Sequence, residues 1–318
     1  MAFLFKKLEN TKYKSMFLIV VGGYLLLVIT VYFLQRSLQY FPLGTAMLPA
    51  NFQEKKIITQ DNVELLVWQN IPKDYKKIIV YFHGNAGNIG DRSYRFETFI
   101  NKGYGVIALS YRGYFGSQEK PSESGFILDA QAVLKFIEEQ NIAKKDLILF
   151  GESIGSGVVC QIAQNKIPVN DDIANLSKNS KENSKENSLI NSTKETLEKT
   201  LENSSQKSLE NTSKNIDDFF MIILESPFYS ILEIAQKTYP FLPVKFMLKD
   251  RFDSFLYSPN ITSKVLIFHG DQDKIVALES GKKLFNTITS KKKFIEMRGA
   301  SHVDTNPEFI IQQIEEFN

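Results

Sequence analysis

The chain has 318 residues, is 43% hydrophobic, and sets 38 basic side chains against 36 acidic ones for a net charge of +2. That apolar content supports a sizeable core, and the absence of an interleaved basic and aromatic stripe excludes a nucleic-acid-binding surface. Cys160 is the only cysteine, which excludes an intrachain disulfide and any multi-cysteine metal site.

In chain order the first feature is SMFLIVVGGYLLLVITVYFLQ, residues 15–35, without a single charge. About 20 apolar residues cross a bilayer as a helix, and a run apolar on every face does not read as a core helix. Lys6, Lys7, Lys12 and Lys14 precede it and only Arg36 follows closely. The excess positive charge keeps the N-terminus cytoplasmic and places the rest on the extracytoplasmic side. A cleaved signal peptide is the competing reading, with Gly44-Thr45-Ala46 as the small-residue site. The apolar run is longer than a signal core, and that site lies well beyond its end. The expected organisation is therefore a cytoplasmic N-terminus (1–14), a single-pass transmembrane anchor (15–35), a linker (36–54) with Tyr40 and Phe41 at the headgroup level, and a folded domain (55–318).

Within the domain, strands are expected at 55–59, 63–69, 77–82, 105–111, 146–150, 219–225, 264–269 and 292–297. Runs such as KIIVYF, DLILF and KVLIF are continuously apolar, as strands buried on both faces of a parallel sheet are. Helical spacing falls between them, at 91–102, 122–141, 154–165, 277–288 and 307–317. Alternating strands and helices predict an α/β fold with a doubly wound, mostly parallel sheet. The first two strands, with no helix between them, pair as an antiparallel edge. Residues 170–215 interrupt the domain with Asn-, Ser-, Lys- and Glu-rich near-repeats and no aromatic residue. Such a tract buries too little apolar area to offset ordering, so it reads as a disordered insertion. It joins a helix to a strand, at the sheet edge opposite to the one where open α/β sheets bind ligands.

FGESIGSG, residues 150–157, carries the chemistry. Gly-x-Ser-x-Gly between a strand and a helix is a nucleophile elbow, whose strained turn requires small residues two positions either side of the serine. Ser153 is then the nucleophile, and a serine hydroxyl needs an imidazole base. The order on this fold is Ser, acid, His. KVLIFHGDQDKIV supplies Asp271 and Asp273, and His302 is the only histidine after both. Asp273 is preferred because the turn must carry the carboxylate beyond the strand end, with Asp271 left to satisfy turn amides. Glu225, ending its own strand, reads as a residue holding a loop. His83 and His269 read as braces of their loops. The oxyanion hole takes one amide after the nucleophile, Ile154, and one from the loop FHGNAGN, Asn85 with Ala86 as the alternative. That loop lacks the Gly-Lys-Ser/Thr ending of a phosphate-binding loop. No metal or organic cofactor is implied.

FHGNAGN, YRGYFGS, GESIG, LESPF, KDRFDS, HGDQD and GASH together resemble the α/β-hydrolase superfamily. They are most similar to its membrane-anchored branch of protein depalmitoylases and bacterial esterase-like proteins. The resemblance implies Ser153 as nucleophile, Asp273 as acid and His302 as base. Phe115 stands where such proteins usually have a small residue, and so becomes a substrate-binding candidate. The aromatic-rich segment after LESPF falls where this fold carries a cap, adding Phe228 and Tyr229 to those candidates. The expected activity is a membrane-anchored serine hydrolase of esters or thioesters, with an acylated lipid, protein or small molecule as substrate. A serine peptidase or amidase of the same fold is the alternative, and a non-catalytic anchored binding protein the remaining one.

Overall fold

The computed structural model describes residues 2–164 and 218–318, with side chains from residue 13 onward. The tract 170–215 lies outside the described residues. Its described flanks, Gln164 and Asp218, lie beyond the end of one helix and before the start of a strand, away from the strand end that carries Ser153.

Helix α1 runs over Ala2–Gln39, and its stretch Tyr13–Gln39 is long and apolar enough to cross a membrane. The main sheet has eight strands: β1 Gln53–Ile58, β2 Glu64–Asn70, β3 Ile78–Phe82, β4 Gly105–Leu109, β5 Leu147–Glu152, β6 Met221–Glu225, β7 Val265–Gly270 and β8 Lys292–Met297. Their spatial order is β8-β7-β6-β5-β3-β4-β2-β1. β1 and β2 pair antiparallel, β2 meets β4 antiparallel, and the rest of the sheet is parallel. The antiparallel edge follows from the short Thr59–Val63 turn, which leaves no room for a crossover helix between β1 and β2. β3, β5, β6 and β7 are buried along their whole length because helices cover both faces.

Among the described residues the further helices are α2 Ser93–Asn101, α3 Glu123–Glu139, α4 Ile154–Ile162, α5 Ile231–Thr238, α6 Val244–Met247, α7 Ser254–Tyr257, α8 Leu278–Thr287 and α9 Pro307–Glu316. One apolar layer sets Phe126, Val133, Val158 and Leu284 against the sheet, and the other sets Phe96, Phe99, Ile310 and Ile314. Helices α5 to α7 form a small cap segment between β6 and β7. Two of them are only four residues long, too short to leave a helical period in the sequence.

The segment expected as a linker is partly built into the domain. Tyr40 is 3% exposed and packs edge-on against Phe126 at 5.3 Å, so it lies in the core and not at a headgroup level. Phe41–Pro42 pairs in parallel with Ala86–Gly87, extending the loop after β3 by a short second strand.

Candidate active site

Parallel strands bring their C-terminal ends to one edge, where three loops converge. The first is the turn from β5 into α4. Ser153 sits there with φ 50° and ψ −113°, a left-handed-side conformation that costs a non-glycine residue about 1–3 kcal/mol. The neighbouring packing explains both flanking glycines. A Cβ at Gly151 would lie 2.6 Å from the Gly155 carbonyl oxygen, and one at Gly155 would lie 2.1 Å from that of Phe82. Gly155→Ala therefore has to push β3 away from the elbow. We expect a loss of about 1–3 kcal/mol, as for other overpacked cores, visible as a lower thermal unfolding midpoint.

The second loop follows β7. Asp273 Oδ1 accepts from the amides of Ile275 and Val276 at 2.9 Å each, which turns Oδ2 toward His302. Burial opposes the charge on this carboxyl, but His302 and the two amides outweigh it and hold the group below the usual aspartate range. Asp271 instead accepts from the Gly299 amide at 2.7 Å. His269 is fully buried, donates from Nε2 to the Val276 carbonyl at 2.9 Å, and is held toward the neutral form chiefly by burial. It braces the acid turn.

The third loop follows β8 and carries His302. Its Nδ1 lies 2.7 Å from Asp273 Oδ2, and its Nε2 lies 2.9 Å from Ser153 Oγ. With the carboxylate accepting from Nδ1–H, Nε2 is left as the acceptor of the serine hydroxyl. The structure thus brings Ser153, His302 and Asp273 into one hydrogen-bonded series. Such a series can draw the proton from a serine hydroxyl during attack on a carbonyl.

Ile154 opens α4, so its amide is among the first-turn donors without an intrahelical partner. The loop bearing Asn85 packs directly on the elbow, since the Gly155 position abuts Phe82 and His83. Asn85 is tied on three sides. Tyr114 Oη donates to its carbonyl at 2.6 Å and to its side-chain oxygen at 3.0 Å, and its Nδ2 donates to the Gln39 carbonyl at 2.5 Å. The end of α1 is thereby fastened to the proposed oxyanion loop. His83 donates from Nδ1 to the Gly84 carbonyl and packs on Tyr111 and Tyr114. Burial, with the nearby Arg92 charge, pushes its value down to about 4, so it stays neutral.

Two arginine–glutamate pairs brace this edge, and sequence reading does not find them. Glu152 is bound by Arg92 and accepts from Tyr81 Oη at 2.5 Å. Arg92 also donates to the carbonyls of Ala86 and Asn88, fixing the Asn85 loop from below. Burial pushes the Glu152 carboxyl up, but Arg92, Arg95 and Tyr81 more than reverse it and hold it at about 2. Glu225 is paired with Arg95, which donates to the carbonyls of Val303 and Thr305, just after His302 in its loop. Glu225 Oε1 accepts from the Thr305 amide at 3.1 Å. Val303 has φ 50°, a strained value for a β-branched residue, and these bonds sustain it. Arg95→Met alone strands a buried carboxylate and is expected to cost about 3–5 kcal/mol. The double variant Arg95→Met/Glu225→Gln removes that charge but leaves the His302 loop unbraced. In steady-state kinetics we expect its kcat to fall about 10–100-fold with KM little changed, since small misplacement of a reacting group acts on kcat.

The three substrate-binding candidates fare differently. Phe228 is fully buried, packed against Phe252 and beside Gly157 on α4. This packing closes the α4 face over the sheet. Phe115 packs half-buried against the layer that holds Phe52, Leu66 and Trp68. Tyr229 is half-buried and stacked on Phe255 of α7 at 4.5 Å, within the cap segment.

Comparison with known proteins agrees with this architecture. The family model described as serine aminopeptidase, S33, matches residues 73–231, half of the chain. The chain belongs to this family of α/β hydrolases. The matched span includes Ser153 and Asn85 but ends before Asp273 and His302. Among curated relatives, the hydrolase is 26% identical to protein bem46 of Schizosaccharomyces pombe, over 80% of this chain and 72% of that protein. It is 26% identical to the lysophosphatidylserine lipase ABHD12 of Danio rerio, over 73% of this chain and 58% of that protein. It is 25% identical to an uncharacterized membrane protein of Saccharomyces cerevisiae, over 80% of this chain and 74% of that protein. An esterase from Pyrococcus furiosus shares the fold with TM-score 0.57 at 16% identity, covering 87% of this chain and 97% of its own.

Proposed function

We propose that this α/β hydrolase is a membrane-anchored serine esterase or thioesterase acting on acylated lipids or proteins. The observation that carries the proposal is the unbroken series from Asp273 through His302 to Ser153 Oγ, with 2.7 and 2.9 Å links. As Ser153 Oγ attacks the acyl carbon, His302 Nε2 takes its proton, and Asp273 holds the imidazolium in place. The amides of Ile154 and Asn85 receive the oxyanion. Collapse breaks the ester or thioester bond, and His302 protonates the departing alcohol or thiol. Water then attacks the acyl-serine, giving its proton to His302; the bond from the acyl carbon to Oγ breaks, His302 returns the proton to Ser153 Oγ, and the free acid leaves.

The family description favours one second reading, an aminopeptidase. Recognition of a substrate ammonium calls for acidic side chains near the site. The cap instead carries Lys237, Lys245 and Lys249, with no Asp or Glu between Glu233 and Asp250. An ester reading fits this charge pattern better. The apolar helix α1 supports anchoring, and the charge bias around it supports a cytoplasmic N-terminus with the hydrolase domain on the extracytoplasmic side. The test is a series of p-nitrophenyl esters from acetate to palmitate beside an aminoacyl anilide, using the detergent-solubilised full chain and its Ser153→Ala variant. Serine-dependent ester cleavage is the expected result. Anilide cleavage without ester cleavage would overturn it.

A further inference from the structure

Helix α1 does not stand clear of the domain. Its last turns are clamped to the cap: Arg36 holds Asp250 through two bonds of 2.8 and 3.0 Å, and Gln35 bonds the Met247 carbonyl and the Lys249 amide. The contact continues further up the helix. The Lys249 ammonium lies 4.3 Å over the Tyr32 ring, and Tyr24 Oη donates to the Phe241 carbonyl at 2.9 Å. Tyr24 is eight residues before Tyr32, so Phe241 meets α1 about 12 Å along its axis from Tyr32. Half the hydrocarbon thickness of a bilayer is only about 15 Å. If α1 spans the membrane, the tip of the cap lies inside the same leaflet.

The tip has the chemistry for that position. Phe246 is 87% exposed, Phe241 60% and Tyr239 46%, in a segment where singly scattered apolar residues would be ordinary but a cluster is not. Pro240 and Pro243 have no amide to satisfy, and the amides of Tyr239, Leu242, Val244, Phe246 and Leu248 all donate to nearby carbonyls. Pairing these amides lowers the cost of placing the segment in hydrocarbon. Tyr24, a hydroxyl in the middle of an uncharged run, would itself be unsatisfied in lipid, and the Phe241 carbonyl pairs with it. Lys237 and Lys249 flank the segment and Lys245 lies within it, and long cationic side chains reach back to phosphate headgroups.

We propose that the cap segment from Tyr239 to Met247 inserts into the phospholipid leaflet beside α1, with Phe241 and Phe246 among the acyl chains, so that the hydrolase meets its acyl substrates at the bilayer. The inference rests on the reading of α1 as a membrane anchor. The test uses the full chain in phosphatidylcholine–phosphatidylglycerol vesicles, with an environment-sensitive fluorophore on Phe246→Cys. The native Cys160 is buried in the core, and the unsubstituted protein controls for its labelling. Leu26→Cys on α1 reports the anchor. Lys145→Cys, exposed at the opposite end of β5 from Ser153, reports water. Nitroxides on the lipid acyl chains are expected to quench Leu26→Cys and Phe246→Cys strongly and Lys145→Cys weakly, with blue-shifted emission at Phe246→Cys. Quenching at Leu26→Cys without quenching at Phe246→Cys would overturn the insertion while leaving the anchor standing. Blue-shifted emission at Phe246→Cys without quenching would mean that a second protein copy covers the tip, and would also overturn it. Quenching at neither site would overturn the anchor and the insertion with it.

Discussion

Ser153→Ala is expected to lower ester turnover by about four to six orders of magnitude, with His302→Ala close behind. Ser153 Oγ has one defined partner, His302 Nε2 at 2.9 Å, and no second hydroxyl is bonded to that nitrogen among the described residues. Removing the oxygen removes the atom proposed to form the acyl-enzyme, and water must then attack without positioning. Activity would not vanish, because the oxyanion donors alone leave about 10³–10⁴-fold catalysis over water. The fold should survive. Ala at 153 meets the same backbone conformation that Ser already bears, and the bonds that lock the elbow use only the main chain of residue 153, its N–H donating to the Glu225 carbonyl at 2.8 Å and its carbonyl accepting from Ser156 Oγ at 2.6 Å. Circular dichroism and thermal unfolding close to those of the parent protein, beside steady-state rates, would check both halves. Near-parental turnover would remove Ser153 from the mechanism.

Asp273→Asn should cost about four orders of magnitude in kcat, and Asp271→Asn should cost little. The asymmetry comes from what each carboxylate touches. Asp273 Oδ1 is occupied by the Ile275 and Val276 amides, so an asparagine there keeps its oxygen on them and turns its amide nitrogen toward His302. That nitrogen donates, which forces the His302 proton onto Nε2 and leaves nothing to accept from Ser153. Asp271 touches the Gly299 amide, which an asparagine oxygen serves equally well. Equal losses in the two variants, read as kcat against the same ester, would contradict the assignment.

The fold is legible because its information is local. Continuous apolar runs such as Ile78–Phe82 and the GESIG elbow announce buried parallel strands and a tight turn, and the histidine scarcity points to His302. The choice between Asp271 and Asp273 needs the turn geometry, since two residues on one loop differ only in where their oxygens point. Arg92 and Arg95 are invisible to pattern reading: their partners Glu152 and Glu225 lie 60 and 130 residues away, and an arginine on a helix reads as a solvated face. Tyr40 and Phe228 are hard to read for the same reason. Each is an aromatic in an apolar neighbourhood, and only packing against Phe126 or Phe252 decides between membrane, pocket and core. The short cap helices fail because a four-residue helix completes barely one turn.

The most direct measurement is covalent. The full chain, and its Ser153→Ala variant, would be treated with a fluorophosphonate, digested, and the adduct located by mass spectrometry, with and without a long-chain acyl ester as competitor. A single adduct on Ser153, suppressed by the ester and absent from the variant, is the expected result. Ester hydrolysis that persists while Ser153 stays unmodified would contradict the nucleophile on which the whole account rests.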